Sequence, residues 1–369
     1  MDIIQRNFLR LLRCGAFGQK EEIEPMSAWK WSRLYQLSLM HGVTALVYDG
    51  ISRLTDDFFL QIPEAQKEQW RRTVAEIEDR NRQLNQQTAA LINTLQREHL
   101  HPILLKGQAL AAIYPTPLHR TSGNIDLCFS TEEELEKANQ WAMTNGENVD
   151  DAEKYALQYE WNEVSITHHQ SPQRLTNPLL NRKLQQIIRE TLNDGRANQI
   201  AIGQANVGLP PATLNLLLVI IRITRYILTE GISMKQLTDL GILLRHPHPQ
   251  VDYGQLQQWL KELRMERIAQ LEGVLLVQLL GFQADELHIT TEKSEKNIEA
   301  IIDEVFKLTS HRADEWYFTQ GKNIFVQNSN STAMMWHIRH SARLFGYYPS
   351  ETLTNFFASF AHSLSHIEE

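Results

Sequence analysis

Residues 104–129 read LLKGQALAAIYPTPLHRTSGNIDLCF, and the order of these parts decides how the rest of the chain is read. Residues 102–105 form a short apolar run suited to a buried strand, which Gly107 breaks. Residues 108–114 are compatible with a short helix that Pro115 and Pro117 end. Residues 125–129 read as a second strand. A glycine directly after a buried strand lets the backbone approach a ligand closely, and the helix that follows turns its free N–H groups toward an anion. Lys106 and Arg120 place positive charge on either side of this turn, and a strand starting at Asn124 sends Asn124 and Asp126 to one face. Lys106, Gly107, Gln108, Arg120 and Gly123 are therefore the candidate phosphate-binding residues.

Working outward, Ser130 and Thr131 with Glu133 and Glu134 three residues later give overlapping capping boxes for a helix running to about Asn145. Residues 155–159 and 163–168 suit two further strands of the same sheet, joined by a turn near Trp161 and Asn162. From about Leu179 the pattern is helical, with buried or amphipathic helices expected over 214–228, 234–244, 253–265 and 268–280. His246 and His248 flank Pro247 in a loop, and the tail beyond Thr291 reads as more helix with a loop at Gly321 and 327–332.

Upstream, residues 1–100 read as helices only. Ile4, Phe8, Leu11 and Leu12 fall at helical spacing, and 27–41 forms a helix whose apolar face comprises Trp29, Leu34, Leu37 and Met40. After Pro63, Trp70, Ile77, Leu84 and Leu91 recur every seven residues, as in one long helix packed on a neighbour. Asn81 and Thr88 interrupt its second stripe, which favours packing within the chain over a coiled coil. The fold class is α+β, a small mixed β-sheet core flanked by N-terminal and C-terminal helical regions. The expected divisions are 1–100, 101–178, 179–290 and 291–369.

Composition fits an ordinary globular chain, 42% hydrophobic and 22% charged. A net charge of -8 argues against bulk nucleic-acid binding and leaves room only for a local basic groove. Two cysteines, Cys14 and Cys128, are too few for a disulfide framework and suggest a reducing, cytoplasmic setting. The most apolar run, 214–221, is eight residues ending at Arg222, so no membrane span is expected.

Leu105-Lys106-Gly107, Tyr114-Pro115, Arg120 and Gly123-Asn124-Ile125-Asp126-Leu127 resemble a family of bacterial nucleotidyltransferases of the DNA polymerase β-like superfamily, which carries Leu-Lys-Gly, Tyr-Pro, Arg and then Gly-Asp-Ile-Asp-Leu. Two flanking stretches extend the resemblance: Met40-His41-Gly42-Val43, and 231–239, which is similar to the family's Gly-Ile-x-Leu-Arg-Gln-Leu-x-Asp. The resemblance implies a nucleoside triphosphate substrate, a hydroxyl acceptor, and Mg²⁺ held by the residues at 124 and 126, which makes Asn124 and Asp126 the candidate metal ligands and catalytic residues. Carboxylates suit that task because Mg²⁺ selects hard, charged oxygen ligands, and two ions stabilise both the entering and leaving oxygens of an in-line displacement. Asn124 departs from the pattern. An amide oxygen still coordinates, but without charge. The third carboxylate of the resemblance falls on Thr167 when the family's Glu-x-His is aligned on His169, and Glu163 lies too far along the strand to replace it.

Two functions follow from this sequence. One is nucleotidyl transfer to an unidentified hydroxyl; the other is a degenerate member that keeps the fold as a nucleotide-binding or scaffold module. Plainer readings stand beside them: Asp126 as a capping carboxylate, Lys106 and Arg120 as surface charges, and Trp29, Trp31 and Trp70 as core residues. His168 and His169 point to opposite faces of a strand, so at most one serves a site. Asn330-Ser331-Thr332 matches a glycosylation acceptor without a secretion signal to make it relevant.

Overall fold

A computed structural model of the protein describes residues 1–151, 155–193, 198–229, 231–246, 251–288, 298–306 and 339–365, with side chains as far as 357. The loop expected at Gly321 and 327–332, with Asn330-Ser331-Thr332, and His248 lie outside the described residues.

Four helices come first: α1 (Ile3–Phe17), α2 (Ala28–Met40), α3 (Thr44–Arg53) and α4 (Glu64–Arg97). Asp2 and Gln5 close a capping box on α1. On α2 the buried residues are Trp31, Leu34, Tyr35 and Ser38, an i, i+3, i+4, i+7 set. The face expected through Trp29 is therefore rotated: Trp29 is 65% exposed and Trp31 takes the core position. α1 and α3 touch backbone to backbone. A Cβ on Gly15 would lie 1.8 Å from the Leu46 carbonyl oxygen, and one on Gly50 would lie 2.0 Å from that of Leu11.

α4, 34 residues or about 51 Å long, links two cores. Its first half buries Trp70 against α1–α3, and its second half buries Leu84, Leu91, Ile92 and Leu95 against the sheet. The two polar interruptions have local uses. Asn81 donates from Nδ2 to the carbonyls of Leu118 (2.7 Å) and Arg120 (3.0 Å), and Thr88 bonds back to Leu84.

The sheet comprises β1 (Ile103–Leu104), β2 (Ile125–Cys128), β3 (Glu147–Asp150), β4 (Ala156–Trp161), β5 (Val164–His169), β6 (Asn198–Ile202) and β7 (Ala205–Leu209). Their order is β3-β4-β5-β2-β1-β7-β6. β2 sits at the centre, parallel to β5 and antiparallel to β1, and all four of its residues are buried. The hairpin β6–β7 belongs to the stretch expected to be helical from Leu179. It lies beside β1, with β7 running parallel to it. Gly203, the first of its two turn residues, has φ +58, as a type II′ turn requires. In the β4–β5 hairpin Asn162 and Glu163 both have positive φ, the type I′ arrangement.

Strand alternation assigns the two sheet faces. Leu104, Ile125, Leu127 and Val207 pack under α4 and under α6 (Glu132–Asn145), whose N-cap is Thr131. Ile103, Leu105 and Cys128 face the larger helical core, which adds α7 (Pro178–Asn193), α8 (Ala212–Thr229), α9 (Met234–Arg245), α10 (Tyr253–Glu262) and α11 (Glu266–Leu280). α8 is buried on nearly all sides. It is longer than the eight-residue apolar run read from the sequence and, among the described residues, is the one helix long and apolar enough to cross a bilayer; 67% of it is buried inside the protein.

Because the α1–α3 contact leaves no room for a side chain, Gly50→Ala is expected to destabilise the protein by roughly 3 kcal/mol through overpacking. The shift of the urea midpoint at unchanged m-value measures it.

Candidate functional site

The site begins where β1 ends. The Leu105 N–H donates to the Asp126 carbonyl at 3.0 Å, carrying the pairing one residue past the strand. The chain then turns at Gly107 with φ 63 and ψ -116, a conformation open to glycine alone, and a Cβ there would meet the Asn124 carbonyl oxygen at 3.3 Å. The turn is thus pressed against the entry to β2. The helix after it, α5 (Gln108–Ala111), is a single turn, too short for the N-terminal anion site expected of it.

Asp126 leaves β2 on the face shared with the helical core, and its side chain is 2% exposed. Oδ1 accepts from Lys106 Nζ at 3.1 Å and pairs with His169 Nε2 at 2.7 Å. Oδ2 is buried and has no hydrogen-bond partner among the described residues. Burial pushes this carboxyl's pKa up, but the His169 hydrogen bond and the Lys106 charge outweigh it and hold the group below the usual aspartate range. The Lys106 ammonium titrates lower than an ordinary lysine, first because it is desolvated and then because Arg222 and Arg225 stand near it; Asp126 opposes both.

Other predicted residues are placed differently. Arg120, expected beside phosphate, is buried. Nε and one terminal nitrogen grip Asp239 at 2.6 and 2.7 Å, and the other donates to the Gly107 carbonyl (3.0 Å) and Ser122 Oγ (2.9 Å). Tyr114 also donates to Asp239, at 2.6 Å. Arg120 therefore clamps the glycine turn to α9 and is a positioning residue. Gln108 is buried against α4, its amide donating to Asn85 and to the Asn81 carbonyl, away from the Asp126 face. Gly123 is exposed with open space around it, and Asn124, half-buried, makes no side-chain hydrogen bond among the described residues.

The strand register fixes the rest of the floor. Thr167 lies directly opposite Asp126 and is buried; Glu163 is an exposed turn residue with φ +64 and not part of β5. Neither supplies a third carboxylate. The adjacent histidines separate as strand alternation requires. His169 reaches Asp126, while His168 lies on the other face between Tyr159 Oη (2.9 Å) and Asn139 Oδ1 (3.0 Å), with burial lowering its pKa to about 3.

These donors bear on a metal. Among the described residues no group of three or more His, Cys, Asp or Glu side chains is arranged to hold one, and Asp239 is committed to Arg120. The set falls short of two ions. Mg²⁺ takes one or two protein oxygens and completes its shell with phosphate and water, and one ion would draw on Asp126 Oδ2, a buried oxygen without a hydrogen-bond partner among the described residues, and on the Asn124 amide.

Three groups that the sequence reading did not assign complete the site: Asp239 and Lys235 on α9, and Arg222 on α8. Lys235 and Asp239 are four residues apart and share a face of α9. The N-terminus of α9 docks on His41, whose carbonyl accepts from Lys235 N (3.3 Å) and whose Nδ1 accepts from Met234 N (3.2 Å). The Lys235 stem runs 3.5 Å from where a Gly42 Cβ would lie. So the segments 40–43, 105–127 and 231–239 meet at one place. The side chains of Arg222 and Lys235 make no hydrogen bond or ion pair among the described residues. Burial lowers the Arg222 pKa despite Asp239 and Asp126 nearby, and burial together with Arg120 holds Lys235 down to about 8.

A family model of uncharacterised nucleotidyltransferases matches residues 27–281, a span that contains every residue of this site. The chain belongs to that nucleotidyltransferase family. No curated protein and no solved structure matches it. The family implies a nucleoside triphosphate as substrate, and it fits a site where a buried carboxylate and several cations surround a glycine turn.

Breaking the Arg120–Asp239 pair from one side leaves a buried charge uncompensated, so Arg120→Met or Asp239→Leu alone should cost about 3 to 5 kcal/mol. The double variant should recover most of that loss, as read from urea midpoints. For Lys235 the sign is opposite. Its folded pKa lies below the unfolded value, so its charge opposes folding below about pH 8. Lys235→Met is expected to add about 2 kcal/mol at pH 7, and the gain should shrink as pH rises toward the ordinary lysine range.

Proposed function

We propose that this protein transfers a nucleotidyl group from a nucleoside triphosphate to a hydroxyl on its acceptor, with the polymerase β-like arrangement that its strand-turn-strand motif resembles. The observation that carries the reading is Asp126: a buried carboxylate with one oxygen held by Lys106 and His169 and the other bare, on the strand against which the Gly107 turn is pressed.

Asp126 through Oδ2, with the Asn124 amide oxygen, would hold one Mg²⁺, which supplies charge neutralisation on the phosphates when bound. The chain's own groups do the remaining work. Gly107 allows the triphosphate to lie close to the backbone. Lys106, freed from Asp126 as phosphate arrives, offsets negative charge that builds on the leaving pyrophosphate. Arg120 holds the turn at its distance from α9, and His169 fixes the orientation of the Asp126 carboxylate through its 2.7 Å bond.

Calorimetry with ATP, GTP, CTP and UTP, with and without Mg²⁺, tests the proposal together with pyrophosphate release. At least one nucleotide should bind in the presence of Mg²⁺, and Asp126→Ala should weaken that binding by at least about tenfold, or 1.4 kcal/mol. Asn124→Asp should strengthen the Mg²⁺-dependent part. If no triphosphate binds, the reading is wrong. If the parent binds without releasing pyrophosphate and Asn124→Asp creates release, the protein is the nucleotide-binding module and not the enzyme.

A further inference from the structure

We propose that Arg222 and Lys235, from two helices of the region that follows the sheet, form with Lys106 a polyphosphate-binding subsite that works without a divalent metal ion. The proposal rests on reading the surroundings of Asp126 as a nucleotide site and assigns the triphosphate tail to residues of α8 and α9.

The argument begins with α8. From Leu214 to Thr224 its side chains are buried almost without exception, and Arg222 is the one charged residue among them. It is partly buried, in electrostatic reach of Asp126, Asp239 and Arg120, and has no hydrogen-bond or ion-pair partner among the described residues. A partly desolvated cation without a partner opposes folding. Lys235 repeats the pattern on α9. Its stem is fixed against Gly42, its position is set by the Asp239–Arg120 clamp one turn later, and its ammonium is likewise unpartnered.

Charge balance points the same way. Four cations, Lys106, Arg120, Arg222 and Lys235, stand around two carboxylates, Asp126 and Asp239, and Arg120 already neutralises one of those. The local excess is positive in a chain whose net charge is -8. Such a partly buried excess attracts a multivalent anion and disfavours a free dication.

The test is binding of inorganic tripolyphosphate to the full-length protein in EDTA, followed by calorimetry at two salt concentrations. The wild type should bind, more weakly at the higher salt, and ATP should displace the ligand whereas adenosine should not. Arg222→Gln and Lys235→Met should each weaken binding by about tenfold or more, with melting temperatures equal to or above the parent's. Lys261→Met, an equal change of charge on exposed α10, should leave binding intact. Wild-type protein that binds Mg²⁺-ATP but not tripolyphosphate in EDTA would overturn the subsite while the nucleotide reading stands. Variants that bind as well as the parent would do the same. If neither ligand binds under any condition, both readings fall. Displacement of the bound tripolyphosphate by longer-chain polyphosphate but not by ATP would overturn the assignment to the nucleotide's phosphates and sever the subsite from the transfer reaction.

Discussion

The Arg120–Asp239 pair holds together parts of the chain that are 119 residues apart. Its two parallel hydrogen bonds join the loop before β2 to α9. The remaining guanidinium nitrogen holds the Gly107 carbonyl, and Tyr114 closes the ring through the same aspartate. A buried pair of this kind is weak evidence for stability, because desolvation offsets most of the attraction. It is strong geometry. A planar guanidinium and a planar carboxylate meet in one orientation, so the glycine turn, the aspartate strand and the helix that carries Lys235 share a fixed frame. An apolar contact of similar volume would allow them to slide.

Within that frame the sheet and the helices divide the chemistry. The sheet provides Asp126, Thr167 and His169 on one face, at positions that strand register determines. The helices provide positive charge from outside the sheet, on α8 and α9. Each half is incomplete alone: among the described residues the sheet face has one bare carboxylate oxygen and Lys106 as its cation, and α8 and α9 carry Arg222 and Lys235 without hydrogen-bond or ion-pair partners. The family match from 27 to 281 covers both halves, which is what a shared site requires.

Much of this was legible in the sequence, for physical reasons that differ by element. The strand-turn-strand unit at 103–128 announces itself because a fully buried strand is uniformly apolar and its one charge, Asp126, stands out. α4 and α6 are legible from period and capping. The β6–β7 hairpin carried a usable signal, with Ile200, Ile202, Ala205 and Val207 alternating about a Gly203 turn, but its strands are short and bordered by longer helical patterns. β3 offered little; its four residues are exposed and all but Val149 are polar, and pairing with β4 makes them a strand. A sequence shows the Arg120 charge and its neighbours but not Asp239 on a distant helix, and in the same way it hides the partners of Gln108, Asn81 and Asn85, which lie on α4.

Asn124 takes on a different meaning once the helical wall is known. An aspartate there would add a negative charge beside Asp126. Asparagine removes it, and the balance among Lys106, Arg120, Arg222, Lys235, Asp126 and Asp239 tips further toward positive. Losing a ligand charge weakens a dication at any distance where Coulomb energy matters, and by the same arithmetic it strengthens an anion held by the cations opposite. The departure at 124 and the side chains of Arg222 and Lys235, unpaired among the described residues, bear on one electrostatic balance: under the proposal, charge that a metal pair would bring to the phosphates comes in part from the protein's own side chains.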